Sequence, residues 1–311
     1  MPVFCFLINK IGRGIIVPLF ILISSATAYA QNEQEHPFVD YDELLSNVQA
    51  NLKIAQAKKE FLTSAKLREQ TLKLPAGSKA VIASSSLAKT ATRDLSAPQL
   101  VNDRKNAVLM ICKYYNASEG KPDRIQLHAT GTILTSDGIC VSNWHVFMAM
   151  EQPEMQLPAA DSLTFAVSLK GDIYPIERIM AFNEKCDAAI FKINTGGQQL
   201  STIPLGNGLA VGETVHAITN PEGSSYYYSQ GVVSRNTADH KIGPMGDRME
   251  ITADYAKGSS GGPIMDSKGN MQGMVSTTFS IYAQDRPQVN LQMVVKKTIP
   301  VRSIRSLMQL Q

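Results

Sequence analysis

The apolar positions of this chain change period partway along it. Over residues 37–74, Leu44, Leu45, Val48, Leu52 and Ala55 recur at helical spacing, with Lys58, Lys59, Glu60, Lys66, Arg68 and Glu69 between and beyond them. That pattern predicts helix. Asp40, with Glu43 three positions later, resembles a capping box at its start. Pro75-Ala76-Gly77-Ser78 breaks the pattern, and residues 75–100, rich in Ser, Ala and Thr, read as a linker. From about Asn106 the runs become short and rich in Val, Ile, Leu and Thr, separated by Gly, Asn, Asp and Pro. Strands are expected at Ala107–Tyr115, Gly131–Leu134, Ile139–Ser142, Leu163–Leu169, Ala188–Ile193, Thr214–Ile218, Gly231–Ser234, Glu250–Ala253, Met271–Thr278 and Leu291–Val295. Many short strands spaced by turns signal a barrel or a sandwich, and pattern alone does not choose between them. Val301–Leu310 is expected to close the chain as a helix.

The N-terminus has a different character. Lys10 and Arg13 precede the apolar stretch Gly14–Ile23, and small residues follow up to Ala28 and Ala30. This is the pattern of a secretory signal cleaved after Ala30. The apolar run is about half the roughly 20 residues a spanning helix needs, and Pro18 interrupts it. No stable membrane anchor is therefore expected after cleavage, and the product is expected to be secreted or periplasmic. The formal net charge of +3 loses two positives with that segment, leaving +1. So weak a charge is no footprint for nucleic acid. Of four cysteines, Cys5 leaves with the signal. Cys112, Cys140 and Cys186 are too few for complete pairing, have no metal-ligand spacing and sit among apolar neighbours. They read as small buried hydrophobes rather than as a disulfide. No metal site and no cofactor is expected.

The chemistry concentrates in Lys257-Gly258-Ser259-Ser260-Gly261-Gly262-Pro263. A serine that forms an acyl-enzyme needs a base for its proton and backbone N–H groups aimed at the developing oxyanion. Glycines on both sides of Ser260 permit the tight backbone this requires. A flexible turn is the plainer reading of the same residues. A phosphate-binding loop is excluded because no Lys-Ser or Lys-Thr follows the glycines at the required spacing. The base should be one of five histidines, His36, His128, His145, His216 and His240. Two short strands lead directly into His145. An acid must then hold the imidazole. Asp187 precedes the apolar run Ala188-Ala189-Ile190-Phe191, where shielding from water would strengthen its pull on His145.

The order His145, Asp187, Ser260 and the three local contexts resemble the chymotrypsin-like (trypsin-fold) serine peptidases, and more closely the bacterial HtrA-type proteases. The resemblance rests on Gly131-Thr132-Ile133-Leu134 through Asn143-Trp144-His145-Val146, on Asp187-Ala188-Ala189-Ile190, and on Gly258-Ser259-Ser260-Gly261-Gly262-Pro263. Val211–Gly223 and Gln230–Ser234 also fit, and the likeness covers about residues 104–308. It implies an all-β fold of two packed antiparallel β-barrels, here with an N-terminal helical extension and a C-terminal helix. The expected organisation is a signal peptide over 1–30, a helical region over 31–74, a linker over 75–103 and the protease domain over 104–311, the helix being no part of the protease core.

The implied roles are Ser260 as nucleophile, His145 as general base and Asp187 as orienting acid. The backbone N–H groups of Gly258 and Ser260 would form the oxyanion hole. Ser276, Thr277 and Thr278 would bind the backbone of a protein or peptide substrate. Asp254, six residues before Ser260, resembles a specificity-pocket acid that would bind Arg or Lys at P1; the alternative is that it only bonds within its own loop. Ser259 stands where Asn or Asp is commoner, which removes the aspartate that trypsin-like zymogens use in activation. Only about fifty residues follow Ser260, too few for the PDZ domain usual in HtrA proteases. A catalytically idle peptide-binding module on the same fold is the competing reading. The 37–74 helix is open to three readings: a docking or oligomerisation element through which a homo-oligomer could form, a removable prosegment, or an exposed helix with no regulatory role.

Overall fold

The computed structural model describes residues 38–58, 60–75, 77–115, 123–148, 162–222, 224–284 and 286–311. The expected signal segment lies outside them. Helix α1 (Tyr41–Lys58) begins where Asp40 accepts a bond from the Glu43 N–H through Oδ1 (2.9 Å), satisfying one of the free donors of the first turn. The single helix expected over 37–74 is two. Helix α2 (Ser64–Leu72) starts afresh from Thr63, whose hydroxyl accepts from the Lys66 N–H at 3.3 Å. The break has a tertiary cause. Thr63 forms a β-bridge with Leu163, and the Ser64 N–H donates to the Ser162 carbonyl at 2.7 Å. Sheet pairing takes the backbone donors that a continuous helix would have used.

The 75–103 segment is bonded to the body of the molecule. It carries β1 (Ala80–Ile82) and α3 (Ala97–Arg104). Between them Thr90 Oγ1 donates to Leu205 O, the Ala91 N–H to Asn270 Oδ1, and the Leu95 N–H to Ser267 O. Its Ser, Thr and Ala composition resembles a linker because its polar groups are satisfied by distant partners, which no local pattern reveals.

Two closed antiparallel barrels follow. The first comprises β2 (Val108–Tyr115), β3 (Arg124–Ile133), β4 (Ile139–Ser142), β5 (Leu163–Val167), β6 (Ile173–Asn183) and β7 (Ala188–Ile193), in the order β2-β3-β4-β7-β6-β5. The second comprises β8 (Thr214–Thr219), β9 (Tyr227–Thr237), β10 (Arg248–Ile251), β11 (Pro263–Met265), β12 (Met271–Gln284) and β13 (Val289–Pro300), in the order β10-β13-β12-β11-β8-β9. The fold is thus all-β and chymotrypsin-like. Closure removes the open sheet edges that short strands would otherwise expose.

Each expected strand is present, several of them longer than expected. β6 and β11 were not legible: β6 alternates irregularly around two bulges, and β11 has only three residues. The closing helix is also shorter than expected. Helix α5 (Val301–Arg305) ends early, and β14 (Met308–Leu310) pairs in parallel with β1.

Val48, Leu52 and Leu67 from the two N-terminal helices are buried in the same apolar cluster as the first barrel's Ile111, Phe165 and Phe191. This corrects the expectation that the helix lies apart from the core, since its apolar stripe is buried against the first barrel. Residues Asp40–Gln311 accordingly form one compact unit. The second barrel has its own small interior, including Val215, Ile251, Tyr255 and Ile264. Cys112, Cys140 and Cys186 are buried free thiols, and burial pushes the Cys112 thiol up to about 12. Among the described residues no helix is long and apolar enough to cross a membrane, and no cluster of His, Cys, Asp and Glu has a metal-site arrangement.

Candidate active site

His145 lies in the short helix α4 (Trp144–Met148), which leaves the end of β4. Asp187 sits in the tight turn between β6 and β7, at φ 61°. Only a few per cent of non-glycine residues adopt this left-handed backbone, and Asp tolerates it better than most. The turn aims the whole residue at α4. Asp187 O accepts from the Trp144 N–H (3.1 Å) and from Asn143 Nδ2 (3.0 Å). Its Oδ1 accepts from the His145 N–H at 2.9 Å, and its Oδ2 from Asn143 Nδ2 at 2.9 Å. The remaining bond joins Oδ2 to His145 Nδ1 at 2.8 Å.

A carboxylate can only accept, so this last contact places the imidazole proton on Nδ1 and leaves Nε2 as an acceptor. Ser260 Oγ lies 3.1 Å from that Nε2. His145 has a side chain 44% exposed, while that of Asp187 is 18% exposed, so the acid is shielded and the imidazole faces the cleft.

The serine loop belongs to the second barrel and leads into β11. Its shape depends on two glycines. Gly258 has φ +94°, and a Cβ there would meet the Asn220 carbonyl at 2.5 Å. Gly261 has φ +89°, and a Cβ would lie 2.1 Å from both the Thr130 carbonyl and Ser142 Oγ. Only glycine supports such backbone without strain. The loop is seated on the first barrel. The Thr130 N–H donates to Ser260 O (2.8 Å), Thr130 Oγ1 to Gly258 O (2.9 Å), and Thr132 Oγ1 to Gly261 O (3.0 Å). Thr130 Oγ1 in turn accepts from the Asn220 N–H at 3.0 Å. Asn220 completes the lock: its Nδ2 donates to Leu109 O, and its Oδ1 accepts from the Tyr226 N–H. Among the described residues, the N–H groups of Gly258 and Ser260 have no bonded acceptor. Two unbonded, neighbouring donors beside a hydroxyl are what an oxyanion would need.

Ser259 is buried, and its hydroxyl bonds Thr219 Oγ1 at 3.0 Å. Ser276 is buried in β12, with Thr277 and Thr278 exposed beyond it on the same strand. The Val275 N–H donates to Gly262 O at 2.9 Å, which keeps this part of β12 close to the serine loop. Asp254 is exposed, and its carboxylate pairs with Lys296 Nζ at 2.7 Å. It therefore does not stand as an unpaired anion.

Three positioning residues were not foreseen: Asn143, Thr130 and Asn220. Asn143 and Asn220 are both fully buried amides, and a buried amide at the end of an apolar run was the signal available. His128, one of the histidines passed over as base, bonds neither the acid nor the serine. Burial and the nearby Lys113 ammonium depress its pKa to about 3.

Residues 129–274 match the family described as trypsin-like peptidase domain. Protease Do-like 5 (chloroplastic) of Arabidopsis thaliana is 30% identical over 163 residues, 50% of this chain and 50% of that protein. A probable periplasmic serine endoprotease, DegP-like, of Brucella suis is 28% identical over 160 residues, 51% of this chain and 29% of the relative. Another DegP-like protein, of Ectopseudomonas mendocina, is 26% identical over 235 residues, 71% of this chain and 46% of the relative. The matched segments thus span half or less of these relatives' own length. Over residues 129–274 the chain is thus similar to trypsin-like peptidase domains, and over its matched segments to proteins named Do-like and DegP-like, a likeness that agrees with its two closed barrels.

Proposed function

We propose that this protein is an exported serine endopeptidase that hydrolyses peptide bonds through His145, Asp187 and Ser260. The observation that carries the reading is the continuous path from Asp187 Oδ2 through the His145 ring to Ser260 Oγ, with links of 2.8 and 3.1 Å. In this reading His145 Nε2 takes the Ser260 proton as Oγ attacks the scissile carbonyl. Asp187 holds the tautomer and stabilises the imidazolium. The Gly258 and Ser260 N–H groups receive the carbonyl oxygen as it becomes an anion. The imidazolium then gives its proton to the leaving amine, and water, activated by the same base, releases the acyl group. Substrate backbone lies along Ser276–Thr278 as an added strand. The pairing of Asp254 with Lys296 favours an uncharged residue at P1 over Arg or Lys. The domain division, with a signal removed after Ala30 and a product resident in the periplasm or released, belongs to the same reading.

A fluorophosphonate probe tests the centre of this proposal. It should label the wild-type chain at Ser260, and Ser260→Ala should neither label nor cleave, with a loss of about 10⁶-fold in kcat. A folded chain that never labels would instead favour the idle peptide-binding module. The mass of the exported protein should place Gln31 at its N-terminus. Peptides varied only at P1 should be cut faster with Ala or Val than with Arg; the reverse would return Asp254 to the role of a basic-specificity acid.

A further inference from the structure

Strand β12 runs to Gln284, well beyond the part that closes the barrel. Its partner β11 covers only Met271–Met274, whereas β13 stays paired with it from Gly273 to Gln284. From Ser276 onward, one edge of β12 therefore has no strand partner among the described residues. The Val275 N–H points to that edge, since it donates to Gly262 O. A one-residue bulge lies between Val275 and Thr277. It shifts the alternation so that the polar groups of Thr278, Ser280 and Tyr282 point to the same edge. The ribbon is also unusually apolar for one that stands in solvent. Phe279, Leu291 and Met293 are 60%, 55% and 53% exposed. Phe279 and Met293 lie on one face, opposite Val295 and Ile281, while Leu291 lies on the other face, opposite Tyr282. An open edge flanked by apolar side chains on both faces is a template for a further strand.

We propose that this edge is an extended docking site for the polypeptide upstream of the scissile bond. The inference rests on the reading of Ser276–Thr278 as the substrate-backbone strand and continues that strand outward. A chain pairing antiparallel to β12 runs opposite to it. Its scissile end lies by Ser276 and the serine loop, and its N-terminal side follows β12 toward Gln284. The six residues Phe279–Gln284 offer room for about the same number of substrate residues beyond those at Ser276–Thr278. Backbone bonds would come from the edge groups of Ser280 and Tyr282. Apolar substrate side chains, alternating between faces, would cover Phe279 and Met293 on one side and Leu291 on the other. The occupant is thus an extended apolar segment, the kind that a folded protein buries and an unfolded one exposes.

The test uses the full chain and two peptides with one scissile bond, found by digesting a reduced, unfolded model protein. One peptide ends four residues upstream of the bond; the other carries six further β-branched or aromatic residues. The longer peptide should have a kcat/KM about tenfold higher or more, as strand addition supplies both backbone bonds and side-chain contacts. Ser280→Pro removes one edge N–H without removing a ladder bond to β13, and it should bring the long-to-short ratio close to one. Phe279→Ser combined with Leu291→Ser should lower the same ratio. A ratio near one in the wild type, or one unmoved by Ser280→Pro, overturns the proposal. Fluorescence anisotropy of the long peptide on the Ser260→Ala chain reads the edge without catalysis. Tight binding weakened by Ser280→Pro supports the edge even if fluorophosphonate labelling were to fail, whereas labelling without length-dependent binding leaves the triad standing and removes the docking site. If light scattering shows that the hairpin substitutions split a dimer, the edge is an interface between copies and the proposal falls.

Discussion

The two barrels hold their contributions to the site in opposite ways. The first fixes His145 and Asp187 with side-chain and backbone bonds inside its own strand ends, above a core that extends into α1 and α2. The second offers Ser260 on a loop whose conformation comes from Gly258 and Gly261, and whose seat is the first barrel's Thr130, Thr132 and Ser142. Its own interior is small, and it extends the long β12–β13 ribbon away from the barrel. The first barrel therefore acts as the fixed reference, while the second presents Ser260 and the long β12–β13 ribbon. The serine is placed by the interface rather than by the barrel that carries it.

Substitutions can break this contrast at either end. The largest effect is expected from Asp187→Asn. It keeps the volume but replaces an acceptor with a donor facing His145 Nδ1, so the imidazole turns to the wrong tautomer. A loss of about 10⁴ in kcat is expected in a chain that remains folded by circular dichroism; a loss below tenfold would remove Asp187 from its role. Next comes Gly261→Ala, which strikes the seat itself. The added Cβ meets Thr130 and Ser142 at 2.1 Å in a backbone that only glycine favours. A cost of about 3 kcal/mol is expected, together with loss of fluorophosphonate labelling, because the clash lies between the barrels. Thermal unfolding with labelling on the same sample checks both.

Leu52→Ala probes the first barrel's helical cover. Leu52 is buried and packs in the core cluster, so truncation should cost about 2–5 kcal/mol in urea unfolding. A cost under about 0.5 kcal/mol, the range of surface changes, would return α1 to the status of a detachable extension.

Lys113→Met acts in the opposite direction and should stabilise. Lys113 is 4% exposed on β2, and among the described residues no acid pairs with it. Burial lowers its pKa from 10.5 to about 8. The unfolded chain therefore keeps its proton at pH values where the folded chain has released it, and stability rises as pH climbs from about 8 to 10.5. The full cost of burial is felt below pH 8, where Met should raise stability by up to about 3 kcal/mol. That gain should shrink to little above pH 10.5, as unfolding at several pH values would show.

Much of this was legible along the chain. The short runs between turns predicted a barrel-like domain, and the strands expected at Ile139–Ser142 and Ala188–Ile193 match those observed. The residues His145, Asp187 and Ser260 stood out because each has a local context that suits one chemical task. What was not legible involves partners distant in sequence. The break between α1 and α2 follows from Thr63 pairing with Leu163, a hundred residues away. The segment read as a linker is anchored by Asn270 and Ser267. Asn143 looked like one more polar residue at a strand end, and only its two bonds to Asp187 reveal it as a positioning residue. Asp254 was read for its distance from Ser260, and nothing near it in the chain announces Lys296.

By itself, then, the sequence determined the local material: apolar periodicity, turn residues, glycines beside a serine, and an acid and a histidine at strand ends. These depend on neighbours within a few positions. The tertiary structure alone decided that the three groups meet, that Thr130 and Asn220 hold the serine loop between the barrels, and that Asp254 is already neutralised. Those outcomes depend on bonds whose partners lie 40 to 130 residues apart, and a bond of that kind leaves no period in the sequence.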